Sequence, residues 1–232
     1  GLVALQPVPA PIINGTLMKI LFSGDSFTYG DELSNREKDR FSRLVSEHYS
    51  AEEINRAECG SSNDKIVRDV FEYLHLFNVD AVVVQFSILR RFDAYKDGWV
   101  GMMPEDTGGK YCHAPEWKKT IARAYYKHVQ NDRKDQERYF GQILLLQSFL
   151  KQKNIPYVML GLESFKYRQE KIYYNYIKDF CEDFEYIIPD LIGAYGSDNY
   201  CPDLTHINSA LHGMHPNEKG HSLIADHITS KL

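Results

Sequence analysis

The chain has 232 residues, 43% of them hydrophobic and 25% charged, with a formal net charge of −5. That composition suits a single soluble domain with a sizeable core. Its acidic balance argues against a general nucleic-acid binder, which needs dense Lys and Arg to displace counterions from phosphates. No run reaches the roughly 20 apolar residues that span a bilayer, and Cys59, Cys112, Cys181 and Cys201 form no C-x-x-C pair and are too sparse for a disulfide framework, which points to a reducing, cytoplasmic setting.

Residues 1–17 form a Pro-containing arm without the charged and apolar regions of a signal peptide. They are read as an N-terminal extension, with Met18-Lys19-Ile20 as an alternative start and residues 18–232 as one domain. The first strand is expected at Lys19 to Phe22, an apolar run that stops abruptly at Gly24-Asp25-Ser26. A second strand is expected at Glu53 to Asn55. Ser62 then caps a helix whose apolar positions Ile66, Val67, Val70, Leu74 and Phe77 recur at three and four residues, so its N-terminus directly follows Gly60. The continuous apolar run Ala81 to Phe86 reads as a buried parallel strand. From Asp93 to Ala114 there are scattered glycines and aromatics without a period, a loop expected to border the functional site. A helix is expected from about Gln136 to Lys153, with strands at Pro156 to Leu160 and Glu185 to Ile188. A last helix follows Pro216, because proline suits a first helical turn and biases His215 away from α geometry. Strands alternating with helices indicate βαβ units and a parallel sheet.

The chemistry concentrates at two distant points. Ser26 ends a buried strand, where open α/β sheets present their ligand crevice and where a tight turn exposes a hydroxyl beside free main-chain N–H groups. His215 opens the last helix, and an imidazole with an ordinary pKa of about 6.5 can take a serine proton and return it to a leaving group. If the two loops meet, they make a nucleophile and its base.

Three stretches carry a family resemblance, in order along nearly the whole domain: Gly24-Asp25-Ser26, then Asn55-Arg56-Ala57-Glu58-Cys59-Gly60-Ser61-Ser62, and finally Gly213-Met214-His215-Pro216 with Gly220-His221. Together they resemble the blocks of the SGNH, or GDSL, hydrolases. The resemblance implies a three-layer α/β/α sandwich with a doubly wound, flavodoxin-like sheet of five parallel strands. It also implies ester hydrolysis without a cofactor, by a serine, a histidine and an aspartate, with an oxyanion hole from the N–H groups of Ser26 and Gly60 and an asparagine side chain.

Two positions depart from that pattern. The third block, where the family has Gly-x-Asn-Asp, reads Ser87-Ile88-Leu89-Arg90-Arg91, and His212 stands where the family's aspartate precedes the histidine. A serine with a downstream arginine in this block resembles phage-encoded and marine relatives. Ser87 is the expected replacement for the asparagine donor, Arg90 or Arg91 is expected to bind an anionic substrate group, and Asp203, His212, a backbone carbonyl or water is left to orient His215. Asp203 also reads as a turn residue beside Pro202, and Arg90 and Arg91 as surface charges. A metal site built on His206, His212, His215 and His221 is disfavoured, because a loop H-x-x-H is weak beside helical H-E-x-x-H.

The expected activity is cleavage of a carboxylic ester, with a small acyl group such as acetyl on a carbohydrate, through a Ser26–His215 acyl-enzyme. Its expected partner is a small ester or an acylated glycan. The competing reading is a catalytically impaired domain that binds a glycan through Tyr95, Trp99 and Tyr111. A phosphate nest at residues 24–26 ranks last, since neither GxGxxG nor a Walker lysine is present.

Overall fold

Seven strands form from the β-branched and apolar runs: β1 (Lys19–Ser23), β2 (Glu52–Asn55), β3 (Ala81–Phe86), β4 (Phe92–Tyr95), β5 (Trp99–Met102), β6 (Tyr157–Gly161) and β7 (Phe184–Glu185). The structure is a computed structural model that describes residues 17–108, 113–162, 184–185, 188, 191 and 215–232. Five of the strands lie in one parallel sheet in the order β2-β1-β3-β6-β7. Its body is β2, β1, β3 and β6, with the two-residue β7 at the edge. The last strand is expected at Glu185 to Ile188; among the described residues the pairing runs over Phe184–Glu185, and Ile188 is helical. Leu21 sits between Ile54 and Val82, and Val84 faces Met159. The chain leaves β1 toward one side to make β2 and returns on the other to make β3, so the carboxyl ends of β1 and β3 flank a topological switch point.

Seven helices are described: α1 (Ser26–Tyr29), α2 (Arg36–Asp39), α3 (Phe41–His48), α4 (Asn63–Leu76), α5 (Glu116–His128), α6 (Asp132–Gln152) and α7 (Glu218–Thr229). The strand period of two sends alternate residues to opposite faces. Leu21, Val82, Val84 and Phe86 pack with Ile66 and Val70 of α4 and with Tyr139, Phe140, Ile143, Leu146 and Leu150 of α6. Ile20, Phe22, Ala81, Val83, Val158 and Leu160 pack with Phe41 and Val45 of α3 and with Ile224, Ala225 and Ile228 of α7. Helices therefore cover both faces, and every residue of β3 is buried. Each such aliphatic side chain contributes about 1.5–3 kcal/mol relative to exposure. Among the described residues no helix is long and apolar enough to cross a membrane.

The segment from Asp93 to Ala114 is not irregular throughout. Tyr95 pairs with Trp99 and Asp93 with Gly101 in the antiparallel hairpin β4–β5, and a 3-10 turn follows at Pro104–Thr107. Asp93 ties the hairpin to the start of α4 by accepting from Ser62 Oγ at 2.6 Å and Arg68 Nη2 at 2.8 Å. Helix α4 begins as its sequence indicates, with Ser62 accepting from the Lys65 N–H at 3.2 Å. Helix α6 starts earlier than its apolar stripe, because Asn131 caps it by accepting from the Arg133 and Lys134 N–H groups.

Candidate active site

The turn after β1 is held from below. Gly24 cannot carry a side chain, since a Cβ there would lie 2.1 Å from Thr28 Oγ1 and 2.8 Å from Gln85 Oε1. Gln85, fully buried in β3, accepts from the Asp25 N–H and Thr28 Oγ1, both at 3.1 Å. Asp25 is the N-cap of α1 and accepts from the Phe27 N–H at 3.1 Å. Its other oxygen accepts from Ser87 Oγ at 2.6 Å and Arg91 Nη1 at 2.8 Å, so this fully buried carboxylate is paired and hydrogen-bonded as a buried charge must be. Asp25 thus braces the turn that presents Ser26.

The second arm comes from the opposite end of the chain. Asn217 caps α7 by accepting from the Gly220 N–H at 3.0 Å, which fixes Pro216 and His215 just ahead of the helix. His215 Nε2 lies 2.9 Å from Ser26 Oγ, and its ring packs tilted against Phe27 with centroids 5.4 Å apart. On the other side of the ring, Nδ1 faces Glu32 Oε1 at 3.1 Å; this is an ion-pair distance, although the approach is not aligned as a hydrogen bond. Both side chains are largely shielded, 14% and 19% exposed. Glu32 reaches this position from a left-handed backbone with φ of 68°, just after α1 ends at Gly30. Such a conformation costs a non-glycine residue roughly 1–3 kcal/mol and persists where the surroundings impose it.

Ser26, Gly60, Arg91 and His215 line one cavity of about 280 Å³ with Asp25, Phe27, Asp31, Cys59, Ile88, Met103, Glu105 and Leu162. Every arm comes from the carboxyl side of the sheet or from the turn just ahead of α7. Gly60 has φ of 79°, a backbone that needs glycine, whereas a Cβ would find only Met103 Sδ at an ordinary 3.5 Å. Among the described residues the N–H groups of Ser26 and Gly60 donate to no protein group, so both remain available to an anion at the cavity. Cys59 is exposed as a residue, yet desolvation of its thiol first, and then the carboxylate of Asp31, pushes it up to about 12.

The candidates from the sequence separate clearly. Ser26 and His215 meet, and Gly60 and Arg91 line the same cavity. Ser87 does not line it: the side chain is fully buried, and its Oγ is bonded between Asp25 and Arg91, the latter at 2.6 Å. Arg90 turns to an exposed ion pair with Asp132 at 3.4 Å and is not part of the lining. Asp203 and His212 lie outside the described residues, as do His206 and Tyr111. His221 is fully buried, accepts from the Phe41 N–H at 3.1 Å through Nδ1 and stacks on the Phe41 ring; burial first, and then the nearby His215, lowers its pKa to about 3. It is a neutral structural side chain. Glu32 was missed in the sequence because nothing local links it to His215. The available signals were an acidic pair after Gly30 and its closeness to the nucleophile turn.

A family model described as "Family of unknown function (DUF6071)" matches residues 30–229. No curated protein matches the chain. Among solved structures, the chain is similar to the psychrotrophic esterase EstA from Pseudoalteromonas sp., a structure inhibited by monoethylphosphonate, at 13% identity and a TM-score of 0.51 over 92% of this chain and 95% of that one. It is also similar to a proposed lipolytic protein of the G-D-S-L family from Desulfitobacterium hafniense, at 13% identity and 0.50 over 93% and 99%. A third is a carbohydrate esterase family 2 enzyme with a carbohydrate-binding domain from Corynascus thermopiles, at 15% identity and 0.50 over 98% and 68%. These likenesses are of fold: an α/β domain with a parallel sheet of the SGNH hydrolase kind.

Proposed function

The chain belongs to DUF6071, a family whose description states no function, and from its site we propose a serine ester hydrolase of the SGNH type that works through an acyl-enzyme. The observation that carries this reading is the 2.9 Å approach of Ser26 Oγ to His215 Nε2 beside two unspent main-chain N–H groups. His215 Nε2 takes the hydroxyl proton as Ser26 Oγ bonds to the ester carbonyl carbon, and the carbonyl π pair moves onto oxygen. The N–H groups of Ser26 and Gly60 hold that oxyanion. Collapse breaks the carbon–alcohol bond, and His215 returns the proton to the departing alcohol. Water then enters by the same route and frees Ser26. Glu32, facing Nδ1, keeps the proton on that nitrogen so that Nε2 is the acceptor, and it offsets the charge of the imidazolium.

A cavity of about 280 Å³ is at the low end for small-molecule sites, which favours a small acyl group. An acetyl ester of a carbohydrate is the substrate we propose, in keeping with the fold shared with the Corynascus carbohydrate esterase. Residues 18–232 as one doubly wound, five-stranded domain after an N-terminal extension belong to the same proposal. Hydrolysis of p-nitrophenyl acetate by wild type, Ser26→Ala and His215→Ala tests it. Each variant should lose at least about 1,000-fold in kcat while melting like wild type, and an active Ser26→Ala variant overturns the mechanism.

A further inference from the structure

We propose that Arg91 is a catalytic residue whose Nη2–H donates to the substrate carbonyl oxygen as that oxygen takes up negative charge. The proposal rests on the serine-hydrolase reading and adds a third, charged donor to the N–H groups of Ser26 and Gly60.

Arg91 follows β3, the strand beside β1, and its guanidinium is locked at one corner. Nη1 donates to Asp25 Oδ2 at 2.8 Å, to Ser87 Oγ at 2.6 Å and to the Ser61 carbonyl at 3.4 Å. Among the described residues Nε is buried with no partner, and no bond runs from Nη2, which is not itself among the buried unpartnered atoms. The side chain keeps 15% of its surface open, and it lines the same cavity as Ser26, Gly60 and His215. An Arg whose anchoring nitrogen is saturated while the rest of the fork is unspent is a donor waiting for an acceptor. Leaving the buried Nε–H unpaired is costly and asks for an explanation, of which a catalytic role is one, while Nη2 is the arm left to meet an acceptor in the cavity.

The acceptor is the reacting oxygen rather than a permanent anion on the substrate. The cavity also carries the carboxylates of Asp25, Asp31 and Glu105, and Arg91 is the one cation among its described lining residues. Three carboxylates against one guanidinium oppose a substrate that arrives negatively charged. A neutral ester meets no such opposition on binding, and the charge it develops in the transition state needs a cationic donor beside it, which among the described lining residues is Arg91. Because the guanidinium is always protonated and is fixed by Asp25 and Ser87, it needs no reorganisation when that charge forms. The buried Ser87 hydroxyl, which bridges Asp25 and Arg91, holds the guanidinium in position and is itself a positioning residue.

The test compares wild type, Arg91→Ala and Arg91→Lys by the rate of Ser26 phosphonylation with a fluorophosphonate and by p-nitrophenyl acetate kinetics. Loss of one oxyanion donor should cut kcat and the phosphonylation rate about 100- to 1,000-fold with little change in KM. Millimolar guanidinium should restore part of the Arg91→Ala rate, which a purely structural defect would not allow. Lysine keeps a cation for Asp25 without the second arm of the fork; Arg91→Lys should therefore stay folded and stay slow, and it carries the comparison if Arg91→Ala does not fold. Folded variants that react at the wild-type rate, or whose loss lies wholly in KM, overturn the role of Arg91 alone. Failure of wild type to be phosphonylated at Ser26 overturns the serine-hydrolase reading and this role with it.

Discussion

Removing the charge of Glu32 with the substitution Glu32→Gln isolates what the carboxylate does for His215. Its oxygen stands 3.1 Å from Nδ1. A full imidazolium at that distance is stabilised by about 1.3 kcal/mol with water-like screening and by about 5 kcal/mol at an effective dielectric near 20. Exposures of 14% and 19% put the pair between these limits but away from the aqueous one. At about 1.36 kcal/mol per tenfold, a mid-range value near 2.7 kcal/mol corresponds to a drop of about 100-fold in kcat. The amide has nearly the same shape as the carboxylate, so the loss is electrostatic more than steric. Steady-state hydrolysis of p-nitrophenyl acetate reads the effect. Glu32→Gly is the informative companion, because it removes the carboxylate and relieves the left-handed backbone at φ 68°. It should be at least as slow as Glu32→Gln while melting at or above the Glu32→Ala variant. If Glu32→Gln keeps kcat within about threefold of wild type, where the Coulomb sum demands tenfold or more, Glu32 does not serve His215, and the orienting group lies elsewhere in the chain.

Two further outcomes follow from single residues. Gly60→Ala leaves room for its Cβ but forces alanine to φ 79°; it should cost roughly 1–2 kcal/mol of stability and lower kcat more than it raises KM, since the N–H that meets the oxyanion shifts. Unchanged kinetics in a folded variant would remove Gly60 from the oxyanion site. His221 is held neutral in the fold with its pKa lowered to about 3, by burial first and then by His215, while the unfolded chain protonates it near the ordinary histidine value. The unfolded state therefore binds the extra proton between about pH 6.5 and 3, so stability is full above this window and falls as pH drops through it. The slope should approach about 1.4 kcal/mol per pH unit from this one group. His221→Asn keeps an acceptor for the Phe41 N–H and should lose that part of the acid slope in urea titrations; acid profiles parallel to wild type would refute it.

What could be read from the sequence was what is local. Ser26 stands where an apolar strand breaks into Gly24-Asp25, and His215 where Pro216 and the Asn217 cap start a helix, so both were visible without knowing how they meet. The strand β3 came out of a continuous apolar run, and the helix α4 out of hydrophobic period and a capping serine. Glu32 was not visible, because its pairing with a residue near the other end of the chain depends on a left-handed turn that no periodicity announces. Ser87 was legible as a strand-end residue, but the direction of its hydroxyl is set by the Asp25–Arg91 ion pair, which is purely tertiary. The hairpin β4–β5 escaped notice since Asp97 and Gly98 make a tight turn within short, glycine-interrupted strands. Helix α5 fully buries only Ala122, and its apolar face is the short stripe Trp117, Ile121 and Tyr125, each half-buried.

The most direct test of the central claim is peptide mass spectrometry of the intact protein after treatment with a fluorophosphonate. Acyl transfer through a Ser26 activated by His215 predicts one adduct, on the peptide that carries Ser26, formed in wild type and suppressed in His215→Ala. An untouched Ser26, or an adduct that forms equally fast without the imidazole, would contradict it.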